Sequence, residues 1–425
     1  MGMYGKSYDA VTGLVGNNLR LGALKAVVAQ EPVWNMYNYL FSNEVPRPNV
    51  TGTPNAYNGI ATLAQLADDT DRYRANAAYE VSHPECLSDN LTNNNNPDLD
   101  SAYWRARNLA ARAKGTSTPI FVTQGFIEPN TKPEDMQEYL GNHHGVERGW
   151  LGQWEHVRGN ETNSAGQLLQ GRAGFFDEVM RFYDHYLKGA KPAIHDPAFA
   201  IEDSTGVWRA QPTWPVASSA TASLPDGRYV DDGGAAALAA PAGRRWDMEH
   251  AADPAPPAAL RLAPLSAAAD TGSYFSWSTP VKSRLRITAT PRITLHASAP
   301  GNVMVRLWDV APDGTAVMFD ENVALIERAG RVTFDLKSTD WTFESGHQLG
   351  VQLGTIGSGS WRDVPSGNTI EVTRARLGLA LQNPRFDVPA QGDRSPFLDT
   401  YLRQYTRTIT DVGAGTFPLA PGGRH

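Results

Sequence analysis

Three residues in this sequence have the types and the chain order that acyl transfer needs: a serine, then an acid, then a histidine. Ser7 stands in Gly5-Lys6-Ser7-Tyr8-Asp9-Ala10. This reads as the front half of a sharp turn, in which a strand folds back into a helix and lifts the serine hydroxyl above the sheet. Glycines flank the serine in such a turn because the chain passes close to itself; here the second one is missing, and Asp9 takes its place. A serine hydroxyl is a weak nucleophile until a base takes its proton. His156, in Leu151-Gly152-Gln153-Trp154-Glu155-His156, can do so, since an imidazole of pKa about 6.5 accepts and donates near neutrality. Glu128 lies between the two in the chain, just after Gln124-Gly125-Phe126-Ile127. A carboxylate there would fix the imidazole tautomer and stabilise the imidazolium. Glu134 and Asp135 are near enough in sequence to compete for that role.

Strands and a helix must hold these groups in register. Val11 to Leu19 is compatible with a helix although it carries Gly13 and Gly16, and Ala23 to Ala29 is a short apolar run suited to a strand buried on both faces. Pro119-Ile120-Phe121-Val122-Thr123 and Gly149-Trp150-Leu151-Gly152 read as two more strands, ahead of Glu128 and His156 respectively. Serine, acid and histidine, each just past a buried strand and in that order, are the layout of an α/β-hydrolase. Residues from about 33 to 113 change character, from aromatics (Trp34, Tyr37, Tyr39, Phe41) through Asn93-Asn94-Asn95-Asn96 to a helical Ala102 to Ala113. They read as an inserted helical lid. Apolar spacing predicts an amphipathic helix over 167–188, stopped by Gly189. After residue 196 the pattern is all-β. Leu285 to Thr290, Ile293 to Ala297, Val303 to Val310, Arg331 to Leu336, Gln348 to Leu353 and Thr369 to Leu381 are strand-like, with turns at Pro300-Gly301 and Pro312-Asp313-Gly314. That spacing predicts a β-sandwich with a core of its own. The stretch 232–269, rich in Ala, Pro and Gly, reads as a loop. The fold class is α/β plus all-β: an α/β domain over 1–195 and a sandwich over 196–425.

Composition narrows the classes of partner. The net charge of −7 comes from 38 basic and 45 acidic residues without long blocks of one sign, which argues against a nucleic-acid partner. No run of 18 apolar residues offers a membrane span. The single cysteine, Cys86, excludes an internal disulfide framework and a cysteine-rich zinc site. His143-His144 is a poor metal site, because adjacent side chains in a polar loop rarely converge on one ion. No signal peptide is visible, which leaves the extracellular and cytoplasmic compartments both open, and a homo-oligomer is compatible with the sequence.

Gly5-Lys6-Ser7-Tyr8, Leu151-Gly152-Gln153-Trp154-Glu155-His156 and the helix end Phe182-Tyr183-Asp184-His185-Tyr186-Leu187-Lys188-Gly189 resemble the X-Pro dipeptidyl-peptidase and cocaine-esterase family of serine hydrolases. The resemblance covers nearly the whole chain and implies a helical lid and a C-terminal jelly-roll sandwich. It also implies an acyl-enzyme on Ser7, with Glu128 and His156 as acid and base and the backbone N–H of Tyr8 as half of the oxyanion hole. The family's acid is usually an Asp in Gly-Trp-x-Asp, whereas this chain has Gly125-Phe126-Ile127-Glu128. The substrate implied is a peptide that yields an N-terminal X-Pro dipeptide, or else a small ester or amide; no cofactor or metal is implied. An inactive fragment whose sandwich serves as a binding module is the remaining alternative. A dipeptidyl-peptidase needs an anion for the substrate's α-amine. Glu31, just past a strand at the sheet's carboxyl edge, is the candidate, with a salt bridge as the plainer reading. Trp34 and Tyr37 are candidates for an apolar substrate pocket, or for packing under the lid. The family also carries a segment ahead of the elbow that supplies sheet strands and a tyrosine hydroxyl to the oxyanion hole. The expectation is therefore a catalytic domain lacking its N-terminal part, with an exposed sheet edge and poor solubility or activity when expressed alone.

Overall fold

The computed structural model describes residues 1–47, 68–83, 85, 92–191, 193–234, 264–268, 271–362 and 364–419. Most of the 232–269 stretch, part of the lid insert and Cys86 fall outside these residues. Short apolar runs set the first sheet. Ala26–Gln30 and Ile120–Gly125 are buried along their whole length, as strands with neighbours on both sides and helices on both faces must be. Five strands run parallel, in the order Gly2–Lys6, Ala26–Gln30, Ile120–Gly125, Glu147–Gly152 and Phe199–Glu202. Trp208–Gln211 and Val388–Pro389 extend the sheet antiparallel to seven strands. Gly2–Lys6 lies at one edge, paired with Ala26–Gln30.

Alternate residues of each strand feed opposite faces. Phe121 and Trp150 point to the side covered by the helix Phe175–Lys188, through Phe175, Val179 and Phe182. Val27, Val122 and Leu151 point to the side covered by the helices Tyr8–Asn18, Leu109–Arg112 and Met136–Asn142. Gly13, unfavourable for a helix taken alone, is what lets the Tyr8–Asn18 helix settle onto the sheet: a Cβ there would lie 2.7 Å from Val27 Cγ1. The amphipathic helix begins at residue 175, later than the spacing over 167–188 predicts. Gly174 takes a left-handed conformation (φ 84°) as its N-cap, and Leu169 is buried from the irregular segment before it. A buried leucine ahead of the helix mimics the helical period.

The lid insert contains the helices Met36–Leu40, Asp71–Ser82, Ala102–Arg107 and Leu109–Arg112. Its small hairpin, Phe41–Ser42 with Val45–Pro46, reaches the second domain, where Asn43 Nδ2 donates to the Val323 carbonyl at 2.8 Å and Val45 packs with Met304, Val323 and Trp361.

The second domain is a β-sandwich of two six-stranded sheets. One is built around Leu285–Ala297 and Thr369–Gln382, the other around Gly301–Val310 and Thr315–Ile326. The two strands expected at 285–290 and 293–297 are a single strand. Ala289 has φ 74° and the register shifts between Thr288 and Arg292, so the strand passes Pro291 and changes partners, from Thr339–Phe343 to Gly330–Asp335. Thr315–Ile326, absent from the sequence reading, is buried along much of its length despite its central Asp320, Glu321 and Asn322. The first sheet also runs past residue 195, since Phe199–Glu202 and Trp208–Gln211 belong to it. The cores merge too: Ala26, Phe121 and Trp150 belong to the same contiguous apolar cluster as Ile287, Leu307 and Leu377. The largest cluster of the sandwich is shared with the first domain, and a smaller one around Trp277, Trp308 and Ile409 is its own.

Candidate active site

Four segments leave the carboxyl ends of neighbouring parallel strands and meet there. The first is the elbow. Ser7 adopts φ 59°, ψ −122° as N-cap of the Tyr8–Asn18 helix, with no side-chain capping hydrogen bond. Its N–H donates to the Gln30 carbonyl at 2.9 Å and its carbonyl accepts from Val11 N–H at 3.0 Å. A Cβ on Gly5 would lie 2.4 Å from both the backbone carbonyl carbon and the Cβ of Asp9. This crossing explains the half motif: with Gly5 bare, Asp9 keeps its side chain, which is exposed in the first helical turn. Tyr8 is the first residue of the helix, and the backbone N–H groups of a first turn are directed out of the helix end. Its ring meets Tyr39 edge-on, with centroids 6.0 Å apart.

The second segment carries Glu128, the candidate acid. Glu128 is fully buried and accepts from the backbone N–H groups of Asn130 (2.7 Å), Thr131 (2.6 Å) and Lys132 (2.9 Å), and from the Thr131 hydroxyl. Arg47 clamps the same loop from the lid side through the carbonyls of Pro129 and Asn130. Sequence reasoning missed these supports. Their signal is the run Pro129-Asn130-Thr131 directly after Glu128, a cluster of turn formers. The competing acids are engaged elsewhere: Glu134 pairs with Lys132 at 2.8 Å, and Asp135, pushed up to about 7 by burial, accepts from Asn38.

The third segment carries His156, the candidate base. His156 Nδ1 lies 3.7 Å from Glu128 Oε1, at ion-pair rather than hydrogen-bond separation, and is buried without a hydrogen-bond partner. Burial holds the imidazole below its ordinary pKa, while the Glu128 charge opposes that shift. Gln30 joins this loop to the elbow: its backbone carbonyl takes Ser7 N–H, and its side-chain oxygen takes Gly159 N–H at 2.9 Å. Lys6, beside the serine, has its ammonium pKa lowered by burial.

The fourth segment begins at Glu31, and here the sequence reading needs correcting. Glu31 does not face a cleft. It is fully buried, and both its oxygens are occupied by protein donors: Trp154 Nε1 (2.8 Å), Gln124 Nε2 (3.0 Å), Gly125 N–H (3.0 Å) and the Thr123 hydroxyl (3.4 Å). Trp34 and Tyr37, each 1% exposed, are likewise packing residues rather than pocket walls. Trp34 donates to Gln124 Oε1 at 2.8 Å and leans on Tyr139; Tyr37 donates to the Pro97 carbonyl and stacks on Phe41. A polar residue at a strand end and an aromatic one after it read alike whether they face a ligand or the core. His143 engages both ring nitrogens, with Glu147 and the Thr118 carbonyl.

Residues 1–158 match the family described as X-Pro dipeptidyl-peptidase (S15 family), and residues 193–377 match the X-Pro dipeptidyl-peptidase C-terminal non-catalytic domain. Two proteins named "Putative Xaa-Pro dipeptidyl-peptidase", from Bacillus anthracis and Bacillus cereus, are each 22% identical over 384 residues, which cover 83% of this chain. The match takes in 59% and 60% of their respective lengths, so the chain spans about three fifths of the curated relatives it matches. Among solved structures, an aminopeptidase from the marine sediment archaeon Thaumarchaeota archaeon shares the fold with a TM-score of 0.64 at 18% identity, covering 90% of this chain and 76% of that one. An alpha-amino acid ester hydrolase does so with a TM-score of 0.59 at 16% identity (89% and 76% covered). A CocE/NonD family hydrolase from Staphylococcus aureus gives 0.57 at 11% (88% and 71%).

Proposed function

This chain belongs to the X-Pro dipeptidyl-peptidase (S15) family, and from that premise we propose that it is a serine hydrolase that releases N-terminal X-Pro dipeptides through an acyl-enzyme on Ser7. One observation carries the reading: a serine held at φ 59° on a strand-to-helix elbow shares a sheet edge with a buried Glu128 and a half-buried His156 3.7 Å apart. In this mechanism His156 Nε2 accepts the Ser7 proton as Oγ bonds to the substrate carbonyl carbon. The carbonyl oxygen becomes an oxyanion, received by the Tyr8 N–H. Collapse breaks the scissile bond, and the leaving amine takes the proton from His156. Water then repeats the sequence on the acyl-enzyme: His156 removes its proton, and the dipeptide leaves with Ser7 restored. Glu128 keeps the proton of neutral His156 on Nδ1 and stabilises the imidazolium. The 3.7 Å separation is in keeping with pairs that tighten only when substrate is bound.

A second reading, an esterase with the same serine, acid and histidine, draws support from Glu31: the carboxylate proposed for the substrate's amine is enclosed by protein donors. Turnover of Gly-Pro-p-nitroanilide against p-nitrophenyl butyrate separates the two. The peptidase reading expects the anilide to have the higher kcat/KM; ester turnover without anilide turnover rejects it.

A further inference from the structure

We propose that Glu31 is a positioning residue that sets the Glu128 loop and the His156 loop in register with each other; this rests on the roles given to Ser7, Glu128 and His156 above. Three observations converge on it. Its carboxylate is the point where the two loops are tied. Oε2 takes the N–H of Gly125, three residues before Glu128, and Oε1 takes the indole N–H of Trp154, two residues before His156. The Gln124 amide completes the set. Its oxygen is occupied by Trp34 Nε1, which turns its NH2 toward Glu31 Oε2. The backbone is strained to reach this arrangement: Glu31 has φ 46°, a left-handed conformation that a residue with a Cβ adopts at a cost. Strain of this kind persists only where surrounding contacts hold it, and here those contacts are the two loops themselves. Finally, the group is fully buried next to another carboxylate. Burial, with the Glu128 charge adding to it, pushes the Glu31 carboxyl well above the usual range. An apolar side chain would avoid that penalty, yet the donors at this junction require acceptors, which a carboxylate supplies on both sides.

Gly125 cannot be replaced as the partner. A Cβ there would lie 1.9 Å from the Trp154 carbonyl oxygen, so the two loops already touch at that point and Glu31 braces the contact from beneath. The arrangement predicts a distinctive failure when Glu31 is altered. Glu31→Gln keeps the volume but replaces one oxygen, which keeps lone pairs in either protonation state, by an NH2 that cannot accept from the N–H donor it meets. The loops then separate, and Glu128 loses its hold on His156 while the substrate's own contacts persist.

The test compares wild type, Glu31→Gln and Trp154→Phe; the last removes the indole donor and keeps a ring in place. Active-site titration with a fluorophosphonate first establishes that the wild-type chain carries a reactive serine; if it does not, the serine-hydrolase reading fails and the positioning role falls with it. With a reactive wild type, both variants should lose kcat by about 10²-fold with KM unchanged, as a small misplacement of catalytic groups produces. The acid limb of kcat/KM should also move to lower pH in both. His156 is faced by Glu128 and Glu161, which raise its pKa, and by Lys6 and Arg158, which lower it, so loosening Glu128 lowers the balance. A folded Glu31→Gln variant, or a folded Trp154→Phe variant, with wild-type kcat and an unmoved acid limb overturns the positioning role and leaves the serine-hydrolase reading standing.

Discussion

In the proposed mechanism Ser7 and His156 divide the chemistry, and each sits in a local setting suited to its part. Ser7 sits in a strained backbone conformation at the elbow, at φ 59° and ψ −122°. His156 sits where burial favours the neutral imidazole, more strongly than Glu128 favours the charged one. A base works in its neutral form, so a depressed pKa extends activity toward acid. The fall of kcat/KM on the acid side should have an apparent pKa below the ordinary histidine value of about 6.5; a midpoint well above that value would contradict the burial. These two residues stood out as candidates because their neighbours are short, specific motifs. The candidate acid was harder to single out, since Glu128, Glu134 and Asp135 lie within one loop and only its fold shows which of them lies beside His156. Glu31 was misread for a definite reason. A charged residue at a sheet's carboxyl edge normally signals a ligand, and nothing in the linear chain reveals that Trp154, Gln124 and Gly125 enclose it.

Elements join through a buried ionic cluster where the first sheet meets the sandwich. Asp340, fully buried, takes Arg209 through two bonds of 2.9 and 2.7 Å and accepts from the Thr288 hydroxyl at 2.8 Å. Arg286 bridges Asp203 at 2.9 Å and Asp387 at 2.7 Å. The Asp340 carbonyl also receives Gln153 Nε2 at 3.0 Å, three residues before His156. Removing one partner of a buried pair leaves the other charge uncompensated, so Asp340→Ala should lower stability by about 3–5 kcal/mol. Arg292→Ala, which breaks an exposed pair with Asp335, should cost less than about 1 kcal/mol. Denaturant melts of the two variants check this, and equal costs would refute it. The strands of this region were legible as strands but not as members of a particular sheet. Phe199–Glu202 and Trp208–Gln211 carry the same β-rich composition as the sandwich that follows, while their pairing is with Glu147–Gly152 and with each other. The runs 285–290 and 293–297 likewise read as two strands, whereas a bulge carries one strand past Pro291.

At the scale of the whole molecule, the largest apolar cluster among the described residues spans both domains. Phe121, Trp150 and Phe175 from the α/β part are contiguous with Ile287, Val305 and Leu377 from the sandwich. The lid hairpin adds a second bridge through Val45 and Asn43. Alternation along a strand tells which residues are buried, but not whose core they enter, so a sandwich with its own core was the natural expectation from sequence. The merged core predicts a single cooperative thermal transition for the chain, with matching calorimetric and van't Hoff enthalpies. Two resolved transitions would mean that the domains unfold separately.

The central claim is that Ser7 is the nucleophile. Labelling the chain with a fluorophosphonate and mapping the adduct by peptide mass spectrometry tests it most directly. The account predicts one modified residue, Ser7, and complete loss of labelling in Ser7→Ala with the thermal midpoint retained. An adduct on another residue, or labelling that persists in Ser7→Ala, would contradict it.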